Sequence, residues 1–320
     1  MQTFLIRRLI QMVILMLAIS ALVFLIINFA PGGPFDTLVF GTGQVSQAQI
    51  ERLNELIGLN RPWYERYFIW LGNVVQGDWG TSWGVAYGQP VTTIIFDRLG
   101  ATLLLMGVST LIAVGIALPI GIYSAVRQYS WADYLVTAFS YFGLAMPTFW
   151  FGIMLMIVFS VYLGWLPTSG MYTPGQEGDP VDLLRHLAMP VTVLTLIEVA
   201  VVSRFMRSAM LEVLSQDYLR TARAKGLRES VVILRHAIRN ALIPVITVVG
   251  LRIPVLFAGA VVTEAIFSWP GMGQIFYQAV LASDWPVVQA IIVITAFLVI
   301  ASNLLADLLY AVVDPRIRYA

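Results

Sequence analysis

The sequence predicts an all-α integral membrane protein with six transmembrane helices, both termini in the cytosol and one large external loop after the first helix. Three observations carry this. Of the 320 residues, 59% are hydrophobic and 12% charged, and mean hydropathy is +0.82; so little polar surface cannot cover a soluble globule of this length. Six stretches are apolar over the roughly 20 residues a span needs: about 9–30, 101–126, 134–163, 188–208, 241–263 and 289–313. Lys and Arg are distributed unevenly: 13 of the 19 fall on the side of the termini, five (Arg52, Arg61, Arg66, Arg98, Arg185) on the other, and Arg252 within a span. The positive-inside rule then orients the chain.

The first span follows Arg7 and Arg8. Its apolar run is too long for a secretory signal, and Ala30-Pro31-Gly32-Gly33-Pro34 lacks a small-x-small cleavage site, so it reads as an uncleaved anchor. Residues 31–100 are external and belong to a single transmembrane domain over 1–320. Within them Ser46-Gln-Ala-Gln49 is a capping box for a short helix with Ile50, Leu53 and Ile57 on one face, closed by Gly58. Pro62 opens a second amphipathic run whose Trp63, Tyr67 and Trp70 form an interfacial aromatic face. The irregular segment from Gly77 to Pro90 reads equally as a connector or as a surface receiving substrate. Segments 164–187 and 264–288 are external, rich in turn residues; 127–133 is a tight cytosolic turn. Pro119, Pro147 and Pro254 stand where they can kink their spans.

Composition excludes several chemistries. With no cysteine there is no disulfide framework or thiolate metal site. His186 and His236 fall on opposite sides of the bilayer, His186 as an interfacial residue, so no catalytic or metal cluster can be assembled. The net charge of +1, sorted by membrane side and without interleaved aromatics, implies no nucleic-acid partner. Three ionisable groups lie within spans: Glu198, Arg252 and Asp307. Such groups mark transport paths or lock helices by pairing. Glu198 facing a substrate amino group and Arg252 a carboxylate is one reading; pairing that holds the bundle is the other.

The most informative segment is the basic island from Asp217 to Ile246. Residues 219–225 favour helix, Gly226 permits a left-handed turn, and a second helix-compatible run continues to Pro244. Charge alone would make this a topological anchor, but neither its length nor its internal glycine fits that role. The run Tyr218-Leu-Arg-Thr-Ala-Arg-Ala-Lys-Gly226 resembles the ATPase-docking loop of ABC importer permeases, in the form found in the dipeptide, oligopeptide and nickel family. The general motif has an acidic residue six positions before its glycine; Arg220 stands there instead, a departure favouring peptide or nickel uptake. Met146-Pro-Thr-Phe-Trp-Phe-Gly152, Gly164-Trp-Leu-Pro167, Ser268-Trp-Pro-Gly271 and Asp314-Pro-Arg-Ile-Arg-Tyr319 extend the resemblance almost end to end.

The resemblance implies a non-catalytic permease subunit of the prokaryotic plasma (inner) membrane. It implies a heterodimer with a related permease, two cytosolic ATPase subunits and an external substrate-binding protein. The coupling loop would span 209–240, with Tyr218, Leu219, Arg220, Ala222, Arg223, Lys225, Gly226, Leu227, Arg228, His236, Asn240 and Pro244 as its site residues. Leu219, Ala222 and Leu227 would offer packing surface to the ATPase. No Gly-x-x-x-x-Gly-Lys-Ser/Thr sequence occurs, so this chain would bind no cofactor, and ATP and Mg would sit on the partners. The alternative is an autonomous ion-coupled transporter or channel using Glu198, Arg252 and Asp307 as a relay.

Overall fold

The computed structural model describes residues 2–29 and 60–313; the predicted capping-box helix after Ser46 and the terminal Asp314–Tyr319 motif lie outside them. The helices run α1 (Gln2–Phe29), α2 (Trp63–Val75), α3 (Val91–Val126), α4 (Trp131–Ala145), α5 (Thr148–Leu155), α6 (Pro180–Leu214), α7 (Asp217–Ala224), α8 (Glu229–Val231), α9 (Ile238–Gly250), α10 (Val255–Ala258), α11 (Val261–Ile266), α12 (Met272–Leu281) and α13 (Trp285–Val313). A π-helical stretch, Met156–Tyr162, extends α5, and another, Val232–Ala237, joins α8 to α9. Five runs are long and apolar enough to cross a membrane: Ile6–Phe29, Val91–Val126, Pro180–Leu214, Glu229–Phe257 and Trp285–Leu304. The bent pair Trp131–Ala145 and Thr148–Tyr162 makes a sixth if counted as one span.

In that pair the third span expected over 134–163 is bent at Pro147, one of the prolines placed to kink its span. Its halves meet at 101°. Met146 is extended (φ −78, ψ 126) and Pro147 begins the second half (φ −63, ψ 125). A proline pushes the preceding residue out of the helical region, and its missing N–H costs nothing at a helix start. Pro254 behaves alike: α9 ends at Gly250, residues 251–254 turn, and α10 begins at Val255. Arg252 therefore stands in a turn within the membrane-spanning run Glu229–Phe257. By contrast α3 continues through Pro119, and α9 through Pro244, where the second helix-compatible run was expected to end.

The chain forms two compact units, Met1–Thr102 with Phe257–Val261 and Pro270–Ala320, and Leu103–Leu256 with Val262–Trp269. The first boundary between them falls inside α3.

In the first unit α1 packs along α13, and α2 lies on α1. On the aromatic face of α2, Tyr67 and Trp70 pack on α1, meeting Phe24 with ring centroids 5.5 and 6.1 Å apart, while Trp63 is exposed. The Tyr67 hydroxyl shares a 2.9 Å hydrogen bond with Ser20, and Arg66 donates to Asn28. Aromatic pairs of this kind contribute about 0.5–1.5 kcal/mol beyond burial. The segment between α2 and α3 is a built knot, held by one buried carboxylate. Asp284, fully buried at the turn before α13, accepts from the Ser82 hydroxyl and from the amides of Trp83, Gly84 and Val85 at 3.2, 2.9 and 3.0 Å. A β-carbon on Gly84 would lie 3.0 Å from that of Ala282, so only glycine lets the loop seat this closely.

In the second unit the main apolar core joins the later half of α3 to α6, α7 and α9 through Ala117, Val202, Met206, Met210, Leu219 and Val245. A smaller core sets Phe267 against Met189 and Val193. His186 is buried, correcting the interfacial reading: its Nδ1 lies 2.9 Å from the Asp182 carbonyl oxygen and 3.5 Å from that residue's carboxylate, which itself accepts from Thr173.

Candidate functional site

The basic island folds as helix, turn and helix. Asp217 in the first turn of α7 and Arg223 in its last complement the helix dipole. Positions 219 and 222 share one face of this short helix, and that face turns inward: Leu219 is 0% exposed and Ala222 9%, both within the core that includes Met206 and Met210. This corrects the expectation that they offer packing surface to another protein. Burying a leucine in its own chain is worth about 2–5 kcal/mol against truncation to alanine, so this face clamps α7 to its own subunit.

What remains outside is mainly basic, with Leu227 among the cations and Arg220 and Arg223 paired to the exposed Asp217 and Glu229. Arg220, Arg223, Lys225, Leu227 and Arg228 are exposed, as are Arg235 and Arg239 beyond the turn. Gly226 has φ +77 and open space around it, so its requirement is conformational and not steric. The amide of Gly226 donates to the Arg223 carbonyl at 2.9 Å and that of Lys225 to Thr221 at 3.1 Å, closing the end of α7.

Two side-chain ties brace the turn. Arg223 Nη2 donates to Glu229 Oε1 at 2.8 Å and its Nε to Oε2 at 3.1 Å, across Gly226. The hydrogen-bonded Glu229 carboxylate pushes the Arg223 guanidinium above its ordinary value. Asn240 Nδ2 donates to the Tyr218 hydroxyl at 2.9 Å and to the His236 carbonyl at 3.1 Å, which ties α7 to α9. His236 itself is half-buried in the π-helical stretch.

Two of the predicted path residues, Glu198 and Arg252, fall in the second unit. Glu198 on α6 accepts from Thr110 at 3.3 Å and is attracted by the Arg252 charge; both are partly exposed. Asp307 falls on α13 where only the backbone is described. No group of three or more His, Asp or Glu that could hold a metal ion occurs among the described residues.

The sequence reading missed a buried ion pair beside this machinery. Asp133, 3% exposed at the start of α4, accepts from Arg207 Nε and Nη2 at 2.9 and 3.0 Å, from the Tyr129 amide at 3.0 Å and from the Ser124 hydroxyl. A local signal existed in Ser130 three positions before Asp133, and the Ser130 hydroxyl does cap α4 by accepting the Asp133 amide. Nothing local pointed to Arg207.

Long apolar helices and a basic helix–turn–helix define a membrane transport subunit. The profile of binding-protein-dependent transport system inner membrane components matches residues 117–319, and that of their N-terminal part matches residues 1–106. The chain belongs to this family of multi-pass inner-membrane transport components. It is 49% identical over 319 residues to the oligopeptide transport system permease protein AppB of Bacillus subtilis, covering 100% of each chain. It is 38% identical over 331 residues to the dipeptide transport system permease protein DppB of Alkalihalophilus pseudofirmus, covering 98% of each. Its fold matches a chain of the solved MetNI methionine ABC transporter with a TM-score of 0.56 at 18% identity, over 71% of this chain and 99% of that one.

Proposed function

We propose that this chain is the permease subunit of an ATP-driven peptide importer, docked by α7 and the turn at Gly226 onto a cytosolic ATPase. A second related permease, a pair of ATPase subunits and an external binding protein complete the assembly. The observation that carries the reading is the braced, basic α7: its apolar face is committed to its own core, its cations are exposed, and it follows α6 after two residues. A segment so held can seat on an acidic groove and pass displacement into the spans. The substrate class rests on full-length relatives named for oligopeptides and dipeptides. ATP and Mg bind on the partners, and Glu198 and Arg252 border the path, a carboxylate and a guanidinium suited to the two ends of a peptide.

The test is reconstitution of the assembly in liposomes with a labelled pentapeptide, a labelled dipeptide and nickel as separate probes. ATP-dependent accumulation of either peptide supports the reading. Accumulation of nickel alone moves the substrate class, and ion-gradient-driven uptake by this chain without an ATPase overturns the whole assignment.

A further inference from the structure

We infer that the groove between α3, α4 and α6 is a binding site for an anionic phospholipid, with an acyl chain along Leu135, Phe139 and Phe142 and the headgroup at Arg127. Such a site is independent of which solute the chain transports.

α4 packs along α6 through small and polar residues: Gly143 lies against Leu196, and Asp133 accepts from Arg207. Its large side chains are left on another face. Trp131, Leu135, Phe139 and Phe142 recur at helical spacing, and each is more than half exposed. The last three line one side of an open apolar groove whose other walls include Ile120 of α3 and Val199 of α6. All of these residues belong to the second unit.

Length favours a lipid over a helix as the occupant. From Trp131 to Phe142 a helix rises about 16 Å, close to half of the roughly 30 Å hydrocarbon core. Beyond Phe142 the surface turns away at the 101° break before Pro147. A transmembrane segment of another subunit would need an apolar face of about twice that length to be covered along its span. An acyl chain of one leaflet needs no more than the groove provides.

Charge specifies the headgroup. Ile120, Tyr123 and Arg127 follow one another at helical spacing, and the Arg127 amide still donates to the Tyr123 carbonyl at 2.9 Å, so Arg127 carries the α3 wall of the groove past the end of that helix. Its guanidinium is exposed and has no ion-pair or hydrogen-bond partner among the described residues. Asp133, the sole carboxylate between Arg127 and Ala145, is buried and already taken by Arg207 and Ser124, so it neither neutralises Arg127 nor faces an incoming anion. Exposed Tyr123 and Trp131 flank the arginine, residue types that settle at headgroup level. An unpaired cation between such rings, at the mouth of an apolar groove one leaflet deep, attracts an anionic headgroup and disfavours one that carries its own cation.

The test uses the assembled transporter in nanodiscs, with p-benzoylphenylalanine in place of Phe139 and tritiated phosphatidylglycerol or tritiated phosphatidylcholine supplied at equal mole fraction. After irradiation the tritium on this chain is counted. Phosphatidylglycerol should label it about fivefold more than phosphatidylcholine, the worth of one arginine near an anionic headgroup. Arg127→Gln should bring the two lipids to parity, and Arg127→Lys, which keeps the charge, should hold the preference. Equal labelling by the two lipids in the parent shows ordinary boundary lipid and overturns the site. The same preference in Arg127→Gln as in Arg127→Lys overturns the headgroup contact. Cross-linking to another protein chain in place of lipid gives the groove to a neighbouring subunit and overturns the inference.

Discussion

Gly121 meets Ser203 so closely that a β-carbon on the glycine would stand 2.6 Å from the Ser203 carbonyl oxygen and 2.7 Å from the β-carbon of Met206. Neither neighbour is the tip of a flexible side chain, so α3 and α6 would have to part. Gly121→Ala should destabilise by about 1–3 kcal/mol, seen as a lower thermal midpoint in detergent. Gly115→Ala, with nothing within 4 Å, should leave the midpoint unchanged or raise it, since alanine favours a helix interior by about 0.5–1 kcal/mol. Equal midpoints for the two variants would contradict the close approach.

Gly226→Val tests the coupling turn without touching a span. At φ +77 an ordinary side chain costs roughly 1–2 kcal/mol, and no clash is added. Membrane accumulation should stay near that of the parent while substrate-stimulated ATP hydrolysis in the assembly falls at least tenfold, with Gly226→Asn intermediate. Unchanged stimulation would remove the turn from the coupling route.

Asp284→Asn should release the knot between α2 and α3. The amide presents one acceptor to the four donors, of which the Ser82 hydroxyl is buried and the three amides partly so, and each buried donor left without a partner costs about 1–3 kcal/mol. Chymotrypsin cleavage at Trp83 and Tyr87 should accelerate at least fivefold while far-UV circular dichroism is retained. Cleavage at the parent rate would show that Asp284 does not hold the loop.

Glu198→Gln and Arg252→Gln separate the path from the lock. If the two charges border the path, both variants accumulate normally and peptide uptake falls about tenfold, the order of one charge-assisted contact. Loss of protein from the membrane identifies the pair as a structural lock, and parental uptake in both excludes either charge from the path.

The orientation read from Lys and Arg is checked with single cysteines and an impermeant maleimide in intact cells. Ser169→Cys should label from outside and Ser230→Cys should be protected; the reverse would invert the topology.

Composition and short-range pattern were enough to determine that this is a helical membrane protein, where its apolar spans lie, and that a basic helix, a turn at Gly226 and a second helix interrupt them. These properties depend on residues close in sequence: apolar length sets a span, and a glycine at positive φ ends a helix whatever surrounds it. Which face of each helix is spoken for was decided only by tertiary structure. Leu219 and Ala222 have the spacing of a docking face but are buried by Met206 and Met210 of another helix. Tyr67 and Trp70 have the pattern of an interfacial belt but stack on Phe24 of α1. Asp133 meets Arg207, and Asp284 meets the loop from Ser82 to Val85, across separations of 74 and about 200 residues. A buried carboxylate becomes favourable only where distant donors converge on it, and that convergence is set by the packing of whole helices, which no local window of sequence contains.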